Sequence, residues 1–234
     1  MYNNISFSQF IGYLQSLKLV ILGEIHGTKE IPKIEEKIIK ALSRKIRFIF
    51  LEIPKSQQKH IDRYLDSDKE NYLAKIPFFK NPSEDGRGSK ENLLLIKSIK
   101  VLKRKFVDSL KIVCVDPDKK RGNRDLLMAK EVTKHLKKNK GDSGIFISGN
   151  FHARKDVISI KGRKFVPCGH HLKISLKKRL ASVNIAPKNG SFYNFGVKKI
   201  QNNFSKVGIF RSKSGDYDFY YTIKKASPCS FLRS

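Results

Sequence analysis

The sequence predicts an α/β domain with a central, mostly parallel sheet, helices on both faces and a more irregular C-terminal strand region. Three observations lead there. Four apolar runs of strand length, at residues 18–22, 46–53, 110–115 and 144–148, alternate with stretches of helical periodicity. The runs are apolar at consecutive rather than alternate positions, as expected of strands covered on both faces. With 39% hydrophobic residues in 234, the chain can close one core, and a single domain over residues 1–234 is expected.

Each element has its own signature. Residues 5–17 place Phe7, Phe10, Ile11, Leu14 and Leu17 at helical spacing, with Ser6 or Ser8 as the cap. The first strand follows. Ile31, Ile34, Ile38, Ile39 and Leu42 then mark an amphipathic helix that tolerates Pro32 in its first turn. The second strand ends at Glu52, just before Pro54, which blocks further pairing. Residues 57–65 read as a short helix, and residues 66–89, rich in polar residues, Pro and Gly, read as an excursion of the length that serves as a lid.

A helix over 91–107 is predicted to turn Leu94, Leu95, Ile99, Leu102 and Phe106 inward, and the third strand then ends at Asp116-Pro117. The helix over 123–138 carries Leu126, Leu127, Ala129, Val132 and Leu136, and the fourth strand runs into Gly149-Asn150-Phe151-His152. Beyond it the expectations are a short helix after His152, another near 169–176, and strands at 180–185, 207–210 and 217–223 within a C-terminal strand region of about 178–225.

Charge and composition narrow the partners. The chain carries 49 Lys+Arg against 21 Asp+Glu, a formal +28, with a pI near 10.1. Such a field can recruit nucleic acid, an anionic surface or an acidic substrate. Lysines outnumber arginines 37 to 12, however, and lysine is the poorer group for bidentate recognition, so a solvated lysine-rich surface is the first expectation. No run approaches the roughly 20 apolar residues of a membrane span. The N-terminal stretch lacks the basic start, apolar centre and cleavage site of a leader, which points to a cytoplasmic location. Three cysteines, Cys114, Cys168 and Cys229, have neither disulfide nor zinc spacing.

In a parallel sheet, ligands bind outside the carboxyl ends of the strands. Those ends carry Glu24 and His26, Glu52, Asp116, and Asn150 and His152. Two imidazoles and three carboxylates at one rim can bind divalent zinc, manganese, iron or cobalt and activate water. Glu24 then suits a general base or a group that orients an imidazole, while Arg121 and Arg124 suit an oxyanion or an anionic substrate group. Taken singly, His60 and His135 read as packing residues in helices, and Asp116-Pro117 reads as turn chemistry. His170 and His171, beside Cys168, match no standard metal spacing.

Through VILGEIHGTKE, LEIP, CVDPD with RGNRDLLMAKEV, ISGNFHA and, more weakly, PCGHHLKISL, the chain resembles the superfamily that joins Tiki proteases, TraB-like proteins, ChaN-like haem-binding proteins and erythromycin esterases. The resemblance spans roughly residues 18–176. It implies an α/β fold with a site built from two Gly-x-x-His elements and the glutamate between them. His26, Glu52 and His152 then form the metal or catalytic set, supported by Glu24 and Arg124. The activities implied are metal-dependent hydrolysis of a peptide or small-molecule acyl bond, metal-free ester hydrolysis, or haem binding without turnover, with Tyr64, Tyr72 or a site histidine as iron ligand.

Overall fold

The computed structural model describes residues 4–67, 69–80, 85–106, 109–118, 123–138, 141–160, 162–202, 204 and 206–232. Arg121 and Val107 fall outside them, as does the side chain of Phe106. The elements in chain order are β1 (Asn4–Ile5), α1 (Phe7–Leu14), β2 (Leu19–Glu24), α2 (Ile31–Leu42), β3 (Phe48–Pro54) and α3 (Gln58–Asp66). Next come α4 (Pro77–Lys80), α5 (Lys90–Phe106), β4 (Lys111–Asp116), α6 (Arg124–Lys138), β5 (Gly144–Gly149) and α7 (Asn150–Ala153). The chain closes with β6 (Ile158–Ile160), β7 (Arg163–Phe165), α8 (Cys168–Leu176), β8 (Leu180–Tyr193), β9 (Val197–Lys199), β10 (Gly208–Arg211) and β11 (Phe219–Ala226).

The main sheet has the order β1-β10-β11-β8-β2-β5-β3-β4, with β9 paired to β8. Its six central and lateral strands, β11, β8, β2, β5, β3 and β4, run parallel, and β1 and β10 add an antiparallel edge. All six residues of β2 and of β5 are buried, which explains their unbroken apolar runs. One apolar cluster joins one sheet face to α1, α2, α3 and α5, including Phe10, Ile38, Ile61 and Ile99. A second joins the other face to α6 and α8, including Phe50, Phe146, Val132 and Leu172.

Local chemistry sets the element ends. Ser6 caps α1: its hydroxyl accepts from Gln9 N–H at 3.2 Å, and the Gln9 carboxamide accepts from Ser6 N–H at 2.9 Å. At the far edge the Gln58 side chain donates to Ile112 C=O at 2.9 Å and accepts from Cys114 N–H at 2.7 Å, occupying pairing groups that β4 would otherwise present to another strand.

Several expectations move. In α5 the inward residues are Leu93, Leu95, Ile96, Ile99 and Leu102, whereas Leu94 is exposed. In α6 the buried stripe is Asp125, Met128, Ala129, Val132 and Leu136, so Leu127 faces outward and an aspartate stands where an apolar residue was expected. His152 lies within the one-turn α7 rather than before a helix, and a β6–β7 hairpin follows. β8 runs eight residues beyond the expected 185, to Tyr193, and β11 starts at Phe219 and ends at Ala226. The described part of the excursion is packed, with Leu73, Ile76, Phe78 and Phe79 buried, and its residues 68 and 81–84 lie outside the described residues. Among the described residues, no helix is long and apolar enough to cross a membrane.

Candidate active site

Four adjacent strands deliver the site. In the order β2-β5-β3-β4 their carboxyl ends carry Glu24, Gly149 leading to His152, Glu52 and Asp116. The parallel register pairs Glu24 with Gly149, so the first histidine turn lies directly beside the second. His26 reaches back over this junction: its Nδ1 is 2.9 Å from Glu24 Oε1, and its Nε2 is 3.7 Å from Glu52 Oε2. A Cβ added at Gly149 would come within 2.8 Å of His26 Nε2, so glycine is what admits the imidazole.

Glu52 is the hub. Its Oε1 accepts from Arg124 Nη2 at 2.6 Å and from Arg87 Nη1 at 3.3 Å, and its Oε2 accepts from Gly149 N–H at 2.8 Å. Burial alone would raise its pKa, yet the Arg87 and Arg124 guanidinium charges help hold the carboxyl well below the usual carboxylate range. Arg124, predicted as a supporting residue, also donates from Nε and Nη2 to Asp116 at 2.7 and 2.8 Å, and from Nη1 to His152 Nε2 at 2.8 Å. Guanidinium only donates, so that imidazole nitrogen accepts. The remaining ring proton is on His152 Nδ1, 2.7 Å from Asp125 Oδ1.

Burial would depress the His26 pKa, but the Glu24 carboxylate and its hydrogen bond, with help from Glu52, raise it above the ordinary value. Behind Glu24, on α2, lies Glu35. It is 0% exposed, and neither carboxyl oxygen has a hydrogen-bond partner. Burial first, then the Glu24 charge, pushes its pKa well above the ordinary range.

Two participants, Arg87 and Asp125, were not read from the sequence, and a third, Asp116, was placed at the rim but given turn chemistry as its first reading. Arg87 enters from the excursion, bonded to Asp85, Glu52 and Asp116. The signal for it was an arginine between two glycines: Gly86, at φ +83°, lies so close to Gly27 that a Cβ there would be 2.4 Å from the Gly27 Cα. Asp125 binds both His152 and the Cys168 N–H, the latter at 2.7 Å, and its signal was a charge at an inward helix position. Asp116, read as turn chemistry, instead receives both arginines at 2.7–2.8 Å.

Other candidates lie elsewhere. His60 bonds the Tyr72 hydroxyl at 3.1 Å, and His135 bonds Glu131 at 3.2 Å while packing on Phe48 and Phe50. His170 Nδ1 is on Lys155 C=O, and Tyr64 is buried under Lys100. Neither tyrosine lines the cleft above the histidines.

A cleft of about 290 Å³ opens above the histidines, walled by Ile25, Asn150, Phe151, Phe192 and Asn194. Below it, about 30 Å³ between Glu24, His26, Glu52 and Arg87 is room enough for a water molecule. Larger grooves of about 550 Å³ along β4 and 690 Å³ beside α8 contain none of the strand-end residues.

His26, Glu52 and His152, the implied metal set, are thus brought together, with Nε2–Oε distances of 3.7 and 3.8 Å to the glutamate. Their donor atoms do not fit a divalent ion in this arrangement. Both Glu52 oxygens and His152 Nε2 already accept N–H groups, and two guanidinium charges adjoin the glutamate. Among the described residues, no group of three or more His, Cys, Asp or Glu is arranged to hold a metal.

In sequence, no family description and no curated protein matches the chain. Solved structures match in shape. The chain is similar to a succinoglycan biosynthesis protein, with a TM-score of 0.70 and 12% identity over 99% of this chain and 96% of that one. It is similar to an erythromycin esterase in its open conformation, at 0.65 and 12% over 100% and 84%. A third likeness is to haem-bound ChaN of Campylobacter jejuni, at 0.55 and 15% over 93% and 92%. The fold is that of ChaN and the erythromycin esterases. At these identities the likeness is one of fold, and it agrees with the superfamily indicated by the strand-end motifs.

Proposed function

We propose that the protein is a hydrolase of an ester or related acyl bond, with His26 as general base. The observation that carries this reading is the Glu24–His26 pair: a carboxylate holds Nδ1 at 2.9 Å while Nε2 is left at the floor of the cleft. Glu24 fixes the tautomer in which Nε2 can take a proton from water. The hydroxide equivalent then attacks the carbonyl carbon, and charge developing on the carbonyl oxygen is stabilised by the field of Arg124. Collapse breaks the acyl–oxygen bond, and His26 returns the proton to the departing alkoxide, leaving acid and alcohol. Glu52 acts by positioning: it locks both arginines and the Gly149 turn.

Because the lone pairs of Glu52 and His152 are engaged, we favour this metal-free route over metal-activated water. The test is a panel of aryl and alkyl esters and peptides, assayed with and without chelator, together with metal analysis of the purified protein. Expected is turnover that survives chelation and falls at least a hundredfold in His26→Ala. Turnover that vanishes with chelator and returns with zinc, manganese, cobalt or iron would establish the metal route; no turnover of any substrate would end the hydrolase reading. The likeness to ChaN supports haem binding as a second reading, which a Soret band on haem addition, absent from His26→Ala and His152→Ala, would support.

A further inference from the structure

Two hairpins frame the mouth of the cleft. β8 leaves the main sheet to form a two-stranded ribbon with β9, and its Phe192 and Asn194 wall the cleft opposite α7, which supplies Phe151. The β6–β7 hairpin follows α7, and its Phe165 ring lies 6.1 Å from that of His152. Large apolar side chains face water here: Phe195 is 69% exposed, Val197 67%, Phe151 56% and Ile160 42%. All three residues of β9 are exposed, so the ribbon stands clear of the core. Phe195 also adopts φ +51°, a left-handed conformation uncommon for a side chain of that bulk, at the turn that leaves its ring in solvent.

Cations alternate with these apolar residues. Lys198 and Lys199 follow Val197, and Arg163 and Lys164 lie opposite Ile160 and Ser159 across the second hairpin. All four are exposed, and none makes an ion pair among the described residues. Apolar tips flanked by unpaired cations match an anionic bilayer, where rings and aliphatics enter the headgroup boundary and ammonium groups meet phosphate. A nucleic acid would instead call for stacked ring faces along a groove, and two of the four apolar residues, Val197 and Ile160, offer no ring.

We propose that the cleft mouth is a docking surface for an anionic lipid bilayer, with Phe195, Val197 and Phe151 as the inserting groups and Lys198 and Lys199 as the headgroup contacts. The net charge of +28 supplies long-range attraction, while the apolar tips give the surface its orientation. The inference stands apart from the hydrolase reading, since binding is measured without turnover.

The experiment is vesicle flotation of the full chain with phosphatidylcholine, with and without phosphatidylglycerol, in rising salt. The wild type is expected to float only with the anionic vesicles. Phe195→Ser with Val197→Ser should lower partitioning roughly tenfold, and Lys198→Glu with Lys199→Glu should lower it most at low salt. Ile174→Ser is the control. Ile174 is 64% exposed among Lys173, Lys177 and Lys178, in a groove holding none of the site residues, and its replacement should change nothing. Unchanged circular dichroism melts show that the variants fold. The proposal is overturned if no vesicle binds, if Ile174→Ser costs as much as the ribbon variant, or if the ribbon variant binds like wild type. It is equally overturned if a short single-stranded RNA displaces the vesicles and its own binding depends on Phe195.

Discussion

Replacing Glu35 tests whether a carboxylic acid is held neutral beneath the site. The residue is wholly buried on α2, its two oxygens lack hydrogen-bond partners, and the Glu24 carboxylate is near enough to add to the cost of a second charge. The folded protein therefore keeps a proton that the unfolded chain releases above its ordinary value of 4.5. Since the native state binds more protons, this residue's stability contribution is full below that value and is lost as pH rises, at about 1.4 kcal/mol per pH unit until the folded pKa is passed. Glu35→Gln keeps the shape and removes the linkage. Its stability relative to wild type should improve as pH rises above the ordinary carboxyl value, read by urea denaturation across a pH series. Glu35→Leu also removes the unpaired polar atoms and should add about 1–3 kcal/mol at neutral pH. Wild-type and Gln curves that stay parallel with pH would refute the reasoning, since Glu35 would then be ionised or solvated at every pH tested.

Arg87→Ala removes the cation that ties the excursion to Glu52 and Asp116, leaving two buried carboxylates short of a partner; about 3–5 kcal/mol of destabilisation is expected. Limited proteolysis should cut the excursion faster in this variant than in wild type, and an unchanged digestion pattern would mean that the apolar packing of Phe78 and Phe79 holds it alone. Asp125→Leu strips the acceptor from both His152 Nδ1 and Cys168 N–H and should cost about 2–4 kcal/mol, whereas Asp125→Asn keeps one oxygen and should cost less. Imidazole nitrogen NMR should show His152 keeping its Nδ1–H tautomer in the Leu variant, because Arg124 still donates to Nε2; a proton moved to Nε2 would mean that Asp125 sets the tautomer.

The sheet was legible because burial on both faces writes itself as consecutive apolar residues, and β2, β3, β4 and β5 all appear within a residue or two of their predicted positions. The strand ends were legible for the same reason: Glu24, Glu52 and His152 interrupt apolar runs where the fold turns toward its ligand rim. Leu94 and Leu127 misled because a lysine-rich helix also carries apolar residues on its wet face, and periodicity alone cannot phase a stripe that includes a buried Lys100 or Asp125.

What stayed hidden are the groups whose role exists only through partners distant in the chain. Arg87 contacts Glu52 across 35 positions and Asp116 across 29, and the flanking glycines that signal a tight turn do not say which partners its guanidinium meets. The same pairing changes the chemistry expected of the rim. A set of two histidines and a glutamate reads from sequence as a metal cage, because their lone pairs are counted as free. Once Arg87, Arg124 and Gly149 N–H occupy Glu52, and Arg124 occupies His152, the imidazole nitrogen that faces the cleft without a hydrogen-bond partner among the described residues is His26 Nε2. That nitrogen is oriented by Glu24 from the opposite side of the ring, which suits it to moving a proton.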